Sequence, residues 1–162
     1  MAIVLGIDSA STAGFAVVDG ERLLEHGTVD ARDPVRVHQV VGDIVTRLRP
    51  ELAVIEDAYV ARGKSANVAT SMLLARFIGR WEMALAARAV KTELLNAEAW
   101  QSQILAGLCP SRAPRVQRKA AAARWVLATY RLAVGEDAAD AICLATHVSR
   151  RESFAARLRR AG

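Results

Sequence analysis

Two aspartates, Asp137 and Asp140, lie three residues apart at the head of an otherwise apolar segment that runs from Gly135 to His147. On a helix, positions i and i+3 share a face, so these two carboxylates can converge. Converging carboxylates repel each other unless a cation or a proton lies between them. Helix capping is the alternative, because acidic residues in a first turn interact favourably with free backbone N–H groups and with the helix dipole. Asp140 suits capping poorly, since it lies about one turn inside the apolar run.

Two further carboxylates end apolar strands. The run AIVLGI leads into Asp8 and the run LAVI leads into Glu56, so each side chain lies where a buried strand emerges. Catalytic and ligand-binding groups favour the carboxyl ends of parallel strands. A turn-forming role for Asp8 and a polar strand end at Glu56 are the structural alternatives. The four carboxylates together, in this order and on these elements, favour a functional site.

The elements that must position these residues follow from apolar periodicity and turn signals. Strands are predicted for AIVLGID, for the two halves of GFAVVDGERLLEHGTV around an Asp19-Gly20 turn, for LAVIED and for Val90–Leu95. Helices are predicted from Asp33-Pro34 to Arg49-Pro50, over 65–89, from Ala97 to Ala106, from Val116 to Tyr130, and from Glu136 into the tail. This order predicts an α/β fold with a mixed five-stranded sheet flanked by helices.

The pattern over 65–89 carries two apolar stripes. Because more than one face is apolar, this helix is expected to contact more than its own sheet. We therefore expect a subunit interface along it, and the residues expected to be buried there are Met72, Leu74, Ile78 or Trp81.

Length and composition predict one domain, over residues 1–149, followed by a basic tail over 150–162 that is either helical or disordered. No apolar run is long enough to span a membrane, and the N-terminus lacks a signal-peptide pattern, so a cytoplasmic location without membrane partners is expected. Cys109 and Cys143 have neither CxxC nor His/Cys spacing, which argues against a structural zinc or a secreted disulfide scaffold.

Positive charge is segregated along the chain. Residues 99–135 contain no acid, and neither do residues 58–81, although both segments carry several basic side chains. Such segregation indicates a polyanionic partner, with nucleic acid as the first candidate. A solvated basic face is the alternative, and for the tail it is an equally good explanation.

Four motifs together resemble the RuvC-type Holliday junction resolvases of the ribonuclease H-like superfamily: AIVLGIDSAS, AVIEDAYV, KAAAARWV and GEDAADAICLATH. The resemblance runs from Ile3 to His147, and DAADA after the basic helix is its most specific part. It implies a ribonuclease H-like fold whose first strand pairs in parallel with the fourth, so that Asp8 lies beside Glu56. It also implies that the last helix presents Asp137 and Asp140 across from them.

The implied activity is metal-dependent cleavage of four-way DNA junctions by paired nicks in opposing strands. Asp8, Glu56, Asp137 and Asp140 would be both the catalytic carboxylates and the metal ligands. Carboxylate oxygens suit two Mg²⁺ ions, with Mn²⁺ as a substitute, and two such ions about 4 Å apart assist an in-line phosphodiester displacement. Without metal, at least one carboxylate should have a raised pKa. A homodimer would offer two equivalent sites to the two equivalent scissile strands.

The resemblance also assigns roles around this centre. Tyr59 would stack on bases near the junction, and Lys119 would be a catalytic lysine near the scissile phosphate; a loop aromatic and a solvated lysine are the alternatives. From helix spacing alone, His147 lies about two turns from Asp140 on nearly the same face and is a candidate to support the metal ligands, although a packed or capping histidine is the commoner case. The DNA-binding set is Tyr59, Arg62, Lys64, Arg112, Arg115, Arg118 and Lys119. Branched DNA is the expected partner, with branch-migration or recombination proteins beside it.

The chain departs from the family pattern in three respects, of which one is a short interval from Asp8 to Glu56. GIDSAS replaces the usual GIDPG. The family carries a second lysine at a position that falls near Ser102, and this chain has none there; the arginines at 112, 115 or 118 are candidate substitutes for it. These differences indicate a divergent, phage-like member. The rival functions are a YqgF-like nuclease acting on structured RNA, a non-catalytic module that binds branched DNA, and a sugar-kinase or actin-like ATPase fragment, whose fold would need a second domain.

Overall fold

The computed structural model describes residues 2–57, 68–110 and 112–161. The elements in these ranges confirm the predicted order of strands and helices. They are β1 (Ile3–Asp8), β2 (Thr12–Asp19), β3 (Arg22–Asp30), α1 (Pro34–Leu48), β4 (Leu52–Glu56), α2 (Val68–Ala86), β5 (Lys91–Leu95), α3 (Ala97–Ile104), α4 (Arg115–Tyr130) and α5 (Glu136–Ala161).

Within the described ranges, five strands form one mixed sheet in the order β3-β2-β1-β4-β5. The pairs β1–β2 and β2–β3 are antiparallel, whereas β1–β4 and β4–β5 are parallel. The expected fold and the expected parallel pairing of the first and fourth strands are therefore confirmed.

The hairpin between β2 and β3 turns one residue later than predicted. Asp19 still pairs with Arg22, so Gly20 and Glu21 form the two-residue loop in place of Asp19 and Gly20. Gly20 takes a φ of 62°, a left-handed conformation that glycine adopts without steric penalty. A glycine at the first loop position is typical of a tight hairpin that follows the natural strand twist.

Helices cover both faces of the sheet, and strand residues alternate between two cores. On one face, Val4 and Val54 pack with residues of α3, α4 and α5. On the other face, Leu5 and Ile55 pack with residues of α1 and α2. The central strands β1 and β4 are buried on both sides, which explains their nearly continuous apolar sequences.

The start of α1 follows its local sequence. Asp33 accepts hydrogen bonds from the backbone N–H groups of Val35 and Arg36, and Pro34 occupies the first helical turn. These contacts satisfy N–H groups that have no partner within the helix. The predicted helix start at Asp33-Pro34 is confirmed.

The prediction of which α2 side chains are free for a second subunit is partly wrong. Trp81 and Ile78 lie in the core beneath the sheet of their own chain, because α2 packs this stripe against α1 and β5. The second stripe stays exposed: Met72 has 63% of its surface accessible and Met83 has 76%. The exposed apolar face of α2 is therefore the one that carries Met72 and Met83.

The last helix, α5, is buried over much of its first half and is more exposed towards its end. Residues 138–149 are buried between the sheet and the helices α3 and α4. The segment from 150 to 161, predicted as a helical or disordered tail, continues α5 as helix. In the part of the chain that the structure describes, no helix is both long and apolar enough to cross a membrane.

Candidate active site

Two adjacent parallel strands carry the first two carboxylates to one edge of the sheet. Ile7 of β1 and Ile55 of β4 are register partners, and Asp8 and Glu56 are the next residues along these two strands. Because both strands run in the same direction, the two carboxylates emerge at their carboxyl ends. The expected placement of Asp8 beside Glu56 is observed.

Helix α5 approaches the same edge because two strand residues have no side chain. A Cβ atom on Gly6 would lie 2.7 Å from both the carbonyl oxygen of Ala141 and the Cβ of Ala145. A Cβ atom on Gly14, the register partner of Asp8, would overlap the carbonyl oxygen of Asp137. Since glycine allows this close approach, the first turns of α5 lie directly against β1 and β2.

Lys119 lies among the α5 carboxylates. Its Nζ donates a hydrogen bond to Oδ1 of Asp137 at 2.9 Å and lies 3.5 Å from Oδ2 of Asp140. Oε2 of Glu136 is 3.9 Å away. Asp137 and Asp140 thus converge as their spacing predicts, and the cation between them is the ammonium of this buried lysine.

The pKa of Lys119 is raised even though burial, the largest effect on it, lowers it. The hydrogen bond to Asp137 and the charges of Asp140 and Asp8 more than offset the burial. Lys119 therefore carries a positive charge throughout the neutral pH range.

A cleft of about 360 Å³ opens at this edge of the sheet. Three of the predicted carboxylates line it, Asp8, Glu56 and Asp140, whereas Asp137 is not a lining residue and accepts a hydrogen bond from Lys119. The other residues along its walls are Ser9, Ala10, Asp57, Leu74, Ala97, Gln101, Arg115, Arg118 and Lys119. The cleft therefore combines the buried Asp140 and the half-buried Asp8 and Glu56 with three basic side chains from one helix, α4.

Burial raises the pKa of the three predicted carboxylates of the cleft, and repulsion between carboxylates adds to the rise at Asp8 and Asp140. Burial, followed by the charges of Glu56 and Asp140, raises the pKa of Asp8 from 3.8 to about 8. Burial also raises the pKa of Asp140, to about 7, against the opposing charge of Lys119. For Glu56 burial is again the main cause of a raised pKa. The expectation that a metal-free site has raised carboxylate pKa values agrees with these shifts.

Glu56 has a partner that the sequence patterns do not reveal. Nε1 of Trp100 donates a hydrogen bond to Oε2 of Glu56 at 2.8 Å. Trp100 lies on α3, and 44 residues separate it from its acceptor. Local sequence holds no signal for this contact, because it depends on how α3 folds back over the strand ends.

The donor set suits a hard divalent cation. Carboxylate oxygens are the preferred ligands of Mg²⁺ and Mn²⁺, and a bound cation would favour the ionised form of acids whose pKa values are raised. Among residues 2–57, 68–110 and 112–161, however, no three His, Cys, Asp or Glu side chains are grouped closely enough to hold a metal ion. Cation binding would therefore require the carboxylates of the cleft to move closer together.

The remaining predicted residues fall into three groups. Arg115 and Arg118 line the cleft, and Nη1 of Arg118 donates to Oε1 of Gln101 at 3.1 Å. Arg112 lies apart from the cleft, in an adjacent pocket of about 670 Å³ between α3, the following loop and α4. Tyr59, Arg62 and Lys64 lie outside the described residues.

His147 lies on a different part of α5 from the carboxylate cleft. It is buried, and its charged neighbours are Arg151, Glu93 and Arg150. Burial, reinforced by the charge of Arg151, lowers its pKa. The placement matches the packed histidine that was the alternative to a role beside the metal ligands.

Solved structures with the same fold are Holliday junction resolvases. A Thermus thermophilus RuvC structure matches with a TM-score of 0.70 at 22% sequence identity, covering 94% of this chain and 96% of that chain. T. thermophilus RuvC in complex with a Holliday junction substrate matches with a TM-score of 0.73 at 20% identity, covering 95% and 96%. The yeast mitochondrial Holliday junction resolvase Ydc2 matches with a TM-score of 0.56 at 14% identity, covering 93% and 78%.

No protein-family model matches the chain, and no curated protein sequence does. The structural similarity, at these identities, establishes the fold. The chain therefore has the α/β fold of the RuvC resolvases, as the sequence resemblance implies.

Proposed function

We propose that this chain, which has the fold of the RuvC resolvases, is a metal-dependent endonuclease that cuts four-way DNA junctions. The observation that carries the proposal is the convergence of Asp8, Glu56 and Asp140 in one cleft that is bordered by Arg115, Arg118 and Lys119. Carboxylates that suit hard cations, next to cationic side chains that suit phosphate, are two components of metal-assisted phosphodiester hydrolysis.

Each group in the cleft has a chemical task in this proposal. Asp8, Glu56 and Asp140 would hold divalent cations. Asp137, which accepts a hydrogen bond from Lys119, would be the fourth carboxylate ligand. Bound Mg²⁺ would activate a water and stabilise the leaving oxygen of the phosphodiester. Arg115 and Arg118 would bind the phosphate backbone next to the scissile bond. The permanent charge of Lys119 would stabilise the negative charge that develops on the phosphate in the transition state.

Branched DNA is the proposed substrate class. One of the structures with this fold is a T. thermophilus RuvC in complex with a Holliday junction substrate. The segment 99–135 contains no acidic residue, and it includes α4 with the basic side chains that line the cleft. These positive charges would attract the DNA backbone towards the carboxylates. DNA recombination and repair are the processes in which such an activity would serve, beside branch-migration or recombination proteins.

We further propose that the chain acts as a homodimer that makes paired nicks. The exposed apolar face of α2, with Met72 and Met83, is the candidate contact between subunits. Two-fold symmetry would place two clefts on the two equivalent strands of one junction.

Cleavage of synthetic substrates by the purified protein tests this function. We expect cleavage of a four-way DNA junction in Mg²⁺ or Mn²⁺, none in EDTA, and much slower cleavage of a linear duplex of the same sequence. Glu56→Gln should still bind the junction, because binding depends on the basic residues, but should not cut it. Preferred cleavage of a structured RNA would instead support the YqgF-like alternative, and junction binding without any metal-dependent nicking would support the non-catalytic module.

A further inference from the structure

Trp100 contacts the catalytic cleft from inside the protein core. The residue has no accessible surface and belongs to the core cluster that also contains Val54 of β4 and Ile142 of α5. Its one polar atom, Nε1, donates to Oε2 of Glu56 at 2.8 Å. The largest buried side chain on this face of the sheet is therefore attached to one of the cleft carboxylates.

The topology explains how this contact forms. Leu95 at the end of β5 is the register partner of Glu56, and α3 begins two residues later. The side chain of Asn96 caps the helix by accepting a hydrogen bond from the backbone N–H of Glu98. The capped helix then turns back over the strand ends and presents its fourth residue, Trp100, to the carboxylate of Glu56.

We propose that Trp100 is a positioning residue that fixes the orientation of the Glu56 carboxylate for cation binding. Indole can only donate, so it binds the acceptor oxygen without competing for the cation. A hydrogen bond on one oxygen restricts rotation of the carboxylate and leaves the other oxygen for a ligand. The inference rests on the cation-binding part of the proposed function, because it assigns a purpose to the Glu56 carboxylate as a cation ligand.

A second tryptophan shows that burial alone does not require this hydrogen bond. Trp81 is as fully buried as Trp100, in the core on the opposite face of the sheet. Its Nε1 has no hydrogen-bond partner within the described ranges. Since this fold accommodates a buried indole N–H without a partner, the bond from Trp100 is a specific feature of the cleft.

Trp100→Phe removes the donor and keeps an aromatic ring, and Trp81→Phe is the matched control. We expect Trp100→Phe to weaken binding of Mn²⁺ alone, measured by calorimetry without DNA, by about 10-fold or more, the effect typical of groups that orient metal ligands. Junction cleavage should lose kcat with little change in KM, because junction binding depends on the basic residues. Trp81→Phe should leave Mn²⁺ affinity and cleavage unchanged, because its indole N–H contacts no ligand.

A double-mutant cycle with Glu56→Gln tests whether Trp100 acts through this carboxylate. In the Glu56→Gln background, Trp100→Phe should weaken Mn²⁺ binding no further. A further loss of equal size, unchanged Mn²⁺ affinity in Trp100→Phe alone, or equal losses in both tryptophan variants would each overturn the inference. If Trp100→Phe does not fold, benzothienylalanine at position 100 keeps the ring shape and removes only the N–H group.

A metal-free readout separates this inference from the proposed nuclease function. The indole N–H resonance of Trp100 in a ¹H–¹⁵N spectrum should shift when Glu56 is changed to Gln, whereas that of Trp81 should not. If the wild type binds Mn²⁺ and Trp100→Phe weakens that binding, but no junction is cut, the proposed function fails and the positioning role stands. If the junction is cut and the Trp100 resonance is unaffected by Glu56→Gln, the positioning role fails alone.

Discussion

Replacing Asp140 with asparagine should stabilise the metal-free protein at alkaline pH. Burial is the main cause that raises the pKa of Asp140 from 3.8 to about 7; the charge of Lys119 opposes this rise and that of Glu56 adds to it. The folded state therefore binds this proton more tightly than the unfolded state does. The extra stability from the tightly held proton of Asp140 is complete below about pH 4, and it is lost as the pH rises through about 7.

The size of the effect follows from that difference in pKa. A rise from 3.8 to about 7 corresponds to about 4 kcal/mol of lost stability above pH 7. This is an upper limit, because water entry and local relaxation reduce the penalty of a buried charge. Asparagine keeps the shape and loses the 3.5 Å ion pair with Lys119, whose 2.9 Å hydrogen bond to Asp137 remains. When about half of this limit is realised, Asp140→Asn gains ~2 kcal/mol of stability, which raises its Tm by about 4–8 °C.

Thermal unfolding in EDTA at pH 5 and pH 8 measures this effect. The Tm of Asp140→Asn should exceed that of the wild type by about 4–8 °C at pH 8, and the difference should shrink by more than half at pH 5. Asp43→Asn is the control, because Asp43 is exposed and its hydrogen bond to Arg47 lowers its pKa. That variant should show no gain at pH 8. An Asp140→Asn protein that is less stable than the wild type at pH 8 would refute the reasoning and support a capping or ion-pair role.

Two further substitutions test how the site is built. Lys119→Ala should lower junction cleavage more than junction binding, because Lys119 lines the cleft and its ammonium contacts Asp137 and Asp140; equal losses in rate and affinity would make Lys119 a DNA anchor. Gly14→Ala should lower cleavage by about 100-fold and also lower the Tm, since the new Cβ displaces α5 at Asp137 and a 1 Å misplacement has this effect on rate. Gly79→Ala is its control, because its Cβ would have nothing within 4 Å; it should leave cleavage unchanged and should not lower the Tm, since alanine favours a helix more than glycine does.

Local signals are sufficient to predict most of the fold. Apolar runs that end in Asp8 and Glu56 identify the two central strands, and Asp33-Pro34 identifies a helix start, because these features depend on neighbouring residues alone. The position of the β2–β3 turn is one residue off, since Asp19 and Gly20 are both frequent in turns and only strand register decides between them.

Features that depend on tertiary packing are beyond such signals. Two apolar stripes on α2 are equally plausible core faces from sequence, and the structure buries the one with Trp81. The i, i+3 spacing predicts that Asp137 and Asp140 converge, and it carries no information on Lys119. In the structure Lys119 lies between the two carboxylates. Asp140 lines the cleft, whereas Asp137 does not. The contact of Trp100 with Glu56 is of the same kind, because it joins residues far apart in the sequence.

Cleavage of a supercoiled plasmid that extrudes a cruciform tests most directly whether the carboxylate cleft cuts four-way junctions in pairs. In Mg²⁺ the wild type should convert the plasmid to linear product, with two cuts placed symmetrically across the base of the cruciform. Asp8→Asn should bind the same junction and yield no linear product, because it removes one of the cleft carboxylates. Cutting by Asp8→Asn at the wild-type rate, or equal cutting of a plasmid that lacks the cruciform, would contradict the proposed centre.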